Sequence, residues 1–270
     1  GQRTRRKVRE SNMALIQVNF SSNSLKRMVP IQVILPVEKM EGTARGSFPT
    51  LYLLHGVTGN YTDWVSRTNI QRWAEAKGLA VVMPSGDNGV YVDHPGLHNC
   101  CGTFIGQELV EITRKMFPLS CRREDTFIAG LSMGGYGAVR NGLKYHDTFS
   151  CIAGLSTANI VEGIEARTND DAYFLNRRDF AESIFGDLSK VKDSDKSLRW
   201  LAERLAEADA AMPRIYLACG TEDTLLEDSR ALRDCLRKNG ADVTYEEGPG
   251  GHEWDFWERH IRRVIDWLPV

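Results

Sequence analysis

Nowhere in these 270 residues does an apolar run reach the roughly 18 positions that a membrane-spanning helix requires. The basic head is followed by no apolar stretch with a small-residue cleavage site, so a secretion signal is not recognised and a cytoplasmic protein without a membrane partner is expected. Six cysteines show no CxxC or Cys/His zinc spacing, which argues against metal fingers and dithiol redox motifs and leaves free thiols packed as small hydrophobes. The adjacent pair Cys100 and Cys101 has no basic neighbour to lower a thiol pKa. Internal repeats, low-complexity tracts and a Pro- or Ser-rich linker are also missing, so one domain spanning 13–270 is expected. Strong net charge is lacking as well, with 34 Lys and Arg against 36 Asp and Glu. Five of those cations (Arg3, Arg5, Arg6, Lys7, Arg9) crowd into the head at 1–12, which reads as a leader or disordered tail before Met13. Setting them and Glu10 aside leaves 29 cations against 35 anions, a body that does not favour nucleic acid.

What the chain has is rhythm. Two strand-like segments, 14–20 and 28–35, are joined by polar Ser21, Ser22, Asn23 and Ser24 and so predict a hairpin or meander. Thereafter short apolar runs at 51–54, 79–83, 126–129, 150–155, 214–219 and 242–246 alternate with helix-period segments. That pattern predicts a mainly parallel sheet with crossover helices on both faces, an α/β fold. Helical faces carry Ile105, Leu109, Ile112 and Met116, then Leu198, Leu201 and Leu205, and finally Trp254, Trp257, Ile261, Val264, Ile265 and Leu268. The stretch 156–212 holds no convincing strand and is expected to be an insertion covering the active site.

The chemistry concentrates where the run at 126 enters Gly130-Leu131-Ser132-Met133-Gly134, a GxSxG motif between an apolar strand and a helical stretch. A nucleophilic serine on so sharp a turn takes a strained backbone, and side chains two residues either side of it would collide with the crossing, so glycines fill those places. The helix starting at Met133 aims its free N–H groups at the serine and favours an oxyanion there. By itself the motif also fits a glycine-rich turn without chemistry; its partners decide.

A serine hydroxyl needs a base, and the base needs a group that fixes its tautomer. With the chain order serine, acid, histidine, only His252 and His260 follow the last predicted strand. His252 lies in the loop-forming run Gly248-Pro249-Gly250-Gly251-His252, whereas His260 falls inside the final helix and is expected to face solvent. Asp223 stands just past the end of the 214–219 strand and is preferred as the acid over Glu222 and Asp228. The oxyanion hole is expected from the N–H groups of Met133 and of Val57, the latter in the loop Leu54-His55-Gly56-Val57; His55 is read as a loop brace. Trp64, Tyr91 and Trp254 are candidates for the pocket wall or for core packing.

With those residues in hand, the chain resembles the esterase D-like (Putative esterase) family of α/β hydrolases, and within it the bacterial tributyrin esterases. The resemblance spans nearly all of 14–268 and rests on LYLLHGVTGNYTDWVSRTN (51–69), VVMPSGDNGVYVD (81–93), TFIAGLSMGGYGA (126–138), CGTEDTLLED (219–228) and DVTYEEGPGGHEWDFWE (242–258). It implies hydrolysis of short-chain acyl esters, including aryl esters and acetylated sugars, by Ser132, Asp223 and His252, with a small-molecule partner, no metal or organic cofactor, and a homo-oligomeric tendency. HPGLHNCC at 94–101 departs from the family pattern and bears on substrate shape. An S-formylglutathione hydrolase is the nearest alternative within enzymes, and a catalytically silent hydrolase-fold binding module the alternative outside them.

Overall fold

Strands rich in β-branched and other apolar residues, with no polar face, bury both sides only when helices cover each side of a sheet. The computed structural model, which describes residues 13–42 and 47–270, shows that arrangement. Its eight-stranded sheet is built from β1 (Ala14–Ser22), β2 (Arg27–Leu35), β3 (Thr50–Leu54), β4 (Ala80–Pro84), β7 (Thr126–Leu131), β8 (Cys151–Leu155), β9 (Arg214–Gly220) and β10 (Val243–Gly248), with β5 (Asp93–His94) and β6 (Asn99–Cys100) forming a small separate hairpin. The order is β1-β2-β4-β3-β7-β8-β9-β10. β2 is antiparallel to β1 and β4; every other neighbouring pair is parallel. The α/β-hydrolase fold read from the sequence is the fold observed. Edge strand β1 alternates half-buried and exposed residues, while β3, β4, β7 and β8 are buried at every position, as position in the sheet demands.

The helices are α1 (Asp63–Arg67), α2 (Ile70–Lys77), α3 (Cys101–Thr103), α4 (Leu109–Met116), α5 (Met133–Lys144), α6 (Arg178–Phe185), α7 (Leu198–Glu207), α8 (Leu226–Lys238) and α9 (Trp254–Trp267). Period-2 alternation along the strands divides the core into two layers. Tyr52, Leu54, Val82, Ile128, Ile152 and Leu217 face α4, α5, α7 and α8, whereas Leu51, Leu53, Val81, Met83, Phe127 and Tyr216 face α2 and α9. Each such fully buried Leu, Ile, Val or Phe contributes about 1.5–3 kcal/mol by leaving water.

Two expectations are corrected here. The predicted stripe Ile105, Leu109, Ile112 and Met116 packs on the core as far as Ile112, but Met116, the last residue of α4, is 42% exposed. The segment is also not one regular helix: a π-helical turn, Phe104–Glu108, joins α3 to α4 and inserts one extra residue, with Val110 and Thr113 buried beyond it. Two contacts hold the wide turn: Gly106 lies against the Tyr145 ring, and the Glu108 carboxylate accepts from Ser22 Oγ at 2.7 Å and from the N–H groups of Asn23 and Ser24 in the β1–β2 turn. The predicted insertion also shrinks. Residues 198–207 form α7, which packs on α5 and α8 as the crossover helix between β8 and β9, so only 156–197 departs from the layered pattern. The leader or tail expected at 1–12 lies outside the described residues.

Candidate active site

Strand β7 ends at Leu131 and α5 begins at Met133, so a single residue must make the turn between them. That residue is Ser132, with φ 53° and ψ −118°, a region that L-residues enter only under constraint. The constraint is visible. Ser132 N–H donates to Leu155 O at 2.8 Å, and Ser132 O accepts from Tyr136 N at 3.0 Å and Ala158 N at 3.2 Å. A Cβ at Gly130 would stand 2.2 Å from Gly134 O, and one at Gly134 would stand 2.4 Å from His55 O. Only glycine fits either place.

The other candidates arrive from the carboxyl ends of neighbouring strands. Asp223 follows β9 and His252 sits in the loop between β10 and α9. His252 Nε2 lies 2.9 Å from Ser132 Oγ, and His252 Nδ1 lies 3.0 and 3.2 Å from the two carboxylate oxygens of Asp223. Since an ionised carboxylate only accepts, Nδ1 carries the proton and Nε2 is left to accept from the serine hydroxyl. The Asp223 side chain is fully shielded from solvent, while that of His252 is 36% exposed, which leaves one side of the ring accessible. Burial pushes the Asp223 carboxyl up, but hydrogen bonds from His252, Ser156 and the Leu225 N–H outweigh it and hold the group below the usual carboxylate range.

Around this row the structure sorts the remaining sequence candidates. Glu222, the alternative acid, points away: its carboxylate accepts from Gly250 N–H, its own N–H donates to Gly250 O at 3.2 Å, and it thereby clamps the histidine loop to β9. Gly220 permits that clamp, since a Cβ there would overlap Gly250 O. Asp228 lies on α8, where burial raises its carboxyl pKa. His260 does not face solvent as expected. It is 4% exposed, stacked on Phe256 with ring centroids 4.1 Å apart, and its Nδ1 lies 3.3 Å from Tyr216 Oη, because the wide apolar face of α9 turns this position toward the sheet.

His55 is a brace, with its Nδ1–H donating to Gly56 O at 2.6 Å and its Nε2 accepting from Gly86 N at 2.9 Å. Both ring nitrogens are thus used in the neutral form, and burial lowers the pKa accordingly. Tyr91 Oη donates to His55 O at 2.9 Å, and Trp64 Nε1 donates to Leu54 O at 3.0 Å, so both hold the end of β3 from within the core. The bracing fixes Gly56 beside the serine: a Cβ on Gly56 would be 3.6 Å from Ser132 Cβ. Met133 opens α5, where leading N–H groups have no acceptor one turn earlier. Trp254 is half-buried, edge-on to Trp64 and Trp257, with the Arg67 guanidinium 5.5 Å over its ring.

Sequence reasoning passed over Ser156 and read Trp257 only as part of the apolar face of the final helix. Ser156 follows β8 directly with φ 46°, and Trp257 stands five residues after His252 on α9 with its ring edge-on to the imidazole at 4.9 Å. A serine at the end of a central strand, next to the crossover that carries the acid, was the available signal. Among the described residues no group of three or more His, Cys, Asp and Glu is arranged to hold a metal ion, and no helix is long and apolar enough to cross a membrane. All six cysteines are free, and the thiol of Cys101 is pushed up to about 12 by burial.

A family model described as Putative esterase matches residues 22–267. The chain is 41% identical over 261 residues to an acetyl esterase of Caldicellulosiruptor saccharolyticus, an alignment covering 95% of this chain and 98% of that protein. Among solved structures, S-formylglutathione hydrolase of Staphylococcus aureus superposes with a TM-score of 0.82 at 31% identity, covering 96% of this chain and 99% of the other. Fluorophosphonate-binding serine hydrolase F of the same organism, solved with substrate bound, gives 0.82 at 30% identity over 95% of this chain and 98% of that one.

Proposed function

The chain belongs to the Putative esterase family and is a hydrolase of the α/β-hydrolase fold, and on that footing we propose that it is a serine carboxylesterase acting on short-chain acyl esters through an acyl-enzyme. The observation that carries the proposal is the unbroken row Ser132 Oγ, His252 Nε2, His252 Nδ1 and Asp223 carboxylate, at 2.9 and 3.0 Å, on the amino end of α5. Ser132 attacks the ester carbonyl while His252 takes its proton, and Asp223 holds the imidazole in the Nδ1–H tautomer and stabilises the imidazolium. Negative charge developing on the carbonyl oxygen is met by the N–H groups of Met133 and Val57 and by the positive end of the α5 dipole. His252 then returns the proton to the departing alkoxide, leaving an ester on Ser132. A water, deprotonated by His252, attacks that ester; the collapse of the second tetrahedral intermediate frees the acid and restores Ser132.

Short chains are favoured by the similarity to an acetyl esterase over nearly the full length of both proteins. A second reading, thioester hydrolysis of the S-formylglutathione type, is favoured by the S. aureus structure that the whole chain superposes on. Rates on p-nitrophenyl acetate, butyrate and octanoate, measured beside S-formylglutathione, separate the two. A short-chain esterase loses kcat/KM as the acyl chain lengthens and shows no strong preference for the glutathione thioester. Loss of turnover on every ester in Ser132→Ala is expected; a variant as fast as the parent would reject the proposal.

A further inference from the structure

Tyr91 is wholly buried, and it is the second of two consecutive left-handed residues, Val90 at φ 57° and Tyr91 at φ 56°. That conformation is costly for a β-branched and an aromatic residue in succession, so the surroundings have to impose it. Part of the constraint is steric: the Tyr91 ring lies against Gly86 and Gly137, where a Cβ on either would overlap it. The rest is a hydrogen bond, from Asn141 Nδ2 to Tyr91 O at 3.1 Å. Asn141 is a wholly buried residue of α5, the helix that Ser132 opens, and its Nδ2 also donates to Gly137 O at 2.8 Å.

The orientation of that amide is not free. Arg140 Nη1 lies 2.8 Å from Asn141 Oδ1, and because a guanidinium only donates, the amide oxygen must face it and the NH2 group must face the two carbonyls. Arg140 is itself 1% exposed, a costly place for a charge, and the 156–197 segment pairs it: Nε donates to Asp195 O at 2.9 Å and Nη2 to the Asp195 carboxylate. At the other end, Tyr91 Oη donates to His55 O at 2.9 Å, the carbonyl that a Cβ on Gly134 would strike. Hydrogen bonds thus link Asp195, Arg140, Asn141, Tyr91 and His55 in one chain, from that segment through the nucleophile's helix to the loop beside Ser132.

We propose that Asn141, its amide set by Arg140, is a positioning residue for the oxyanion loop: it holds Tyr91 in its left-handed conformation, and the Tyr91 hydroxyl then holds the His55 carbonyl against the nucleophile turn. The proposal rests on the serine-esterase function proposed above, in which that loop supplies an oxyanion donor. Asn141→Asp keeps the shape and removes the donors: one carboxylate oxygen still meets Arg140, but the other faces two carbonyls to which it cannot donate. Asn141→Ala, which deletes the amide without adding charge, is the second variant should the first not fold. In either, kcat on p-nitrophenyl acetate falls by about tenfold with KM little changed, a fraction of the hundredfold or more, roughly, that loss of a whole oxyanion donor costs. Tyr91→Phe frees His55 O and loses a similar factor. Because both residues act through one carbonyl, the double variant also loses about tenfold, not the roughly hundredfold of independent effects. Asp195→Asn, further along the chain, loses about threefold.

Amide exchange followed by NMR reads the same loop without any substrate. Gly86 N–H donates to His55 Nε2 at 2.9 Å, so release of His55 in the Asn141 variants speeds Gly86 exchange by about tenfold beyond any change at Ile128 in β7. This readout decides the positioning role even if the parent turns over no ester, a result that would defeat the esterase function alone. Parental Gly86 exchange in a folded Asn141 variant would overturn the proposal, as would a parental kcat where the parent is active. A double variant whose loss is the product of the two single losses would overturn the route through Tyr91.

Discussion

Replacing Asp223 by Asn tests how the imidazole is held, with almost no change in shape. The side chain is fully shielded, so water cannot substitute for it. Asn keeps an amide oxygen that accepts the Leu225 N–H at Oδ1, as Asp does at 2.9 Å. Its NH2 group then takes the place of Oδ2, 3.0 Å from His252 Nδ1. Two donors cannot face each other there, so the ring shifts to the Nε2–H tautomer and Nε2 no longer accepts the Ser132 proton. A loss of about 10⁴ in kcat is expected, equivalent to about 5.5 kcal/mol of transition-state stabilisation. Stopped kinetics with p-nitrophenyl acetate at pH 7–8 measure the loss, with far-UV circular dichroism confirming the fold.

The stability effect has a definite sign. The Asp223 pKa is depressed in the folded protein, so its contribution is present above the unfolded value of about 3.9 and fades as pH falls through the folded one. Urea midpoints of parent and variant should therefore converge only at strongly acidic pH. Activity of folded Asp223→Asn within tenfold of the parent would refute the tautomer reasoning.

Three further outcomes are expected. Gly134→Ala sets a Cβ 2.4 Å from His55 O and 2.7 Å from Leu54 O, both backbone atoms that β3 fixes, so the turn must open; urea denaturation should show a loss of several kcal/mol, about 2–4, together with loss of esterase activity. Burial lowers the His260 pKa to about 4 from an unfolded value of about 6.5, so its stabilisation is complete above pH 6.5 and declines as pH falls toward 4; His260→Gln should flatten the thermal-midpoint curve across that window and nowhere else. Glu222→Gln weakens the anchor on Gly250 N–H, and steady-state kinetics should show kcat down by about threefold to tenfold with the fold unaltered.

The strands were legible because they are buried on both faces. Continuous apolar runs such as Leu51 to Leu54 in β3, or the run into Gly130 in β7, leave little room for another assignment, and the observed strands start and stop within a few residues of the predicted ones. The row of Ser132, Asp223 and His252 was legible for a different reason. Glycines at 130, 134 and 220 and the Gly-Pro-Gly-Gly run before His252 mark places where backbone approaches backbone, and those closures bring the three side chains to one edge of the sheet. Features that depend on side chains from distant segments were not legible. Periodicity carries no sign of the π-turn at 104–108, which rests on the Tyr145 ring lying over Gly106 and on Glu108 reaching the β1–β2 turn. The inward orientation of His260 rests on a partner, Tyr216, 44 positions away. The bond from Trp257 to Ser156 spans 101 positions and exists only because β8, β9 and α9 meet at one corner.

The central claim is that acyl groups pass through Ser132. Acid-quenching the parent protein during turnover of p-nitrophenyl acetate, followed by intact-mass measurement and peptide mapping, tests it most directly. An acetyl group on the peptide carrying Ser132, absent from Ser132→Ala treated in the same way, is the predicted result. Acetylation of another residue with Ser132 unmodified, or a Ser132→Ala protein that hydrolyses the ester at the parent's rate, would contradict it.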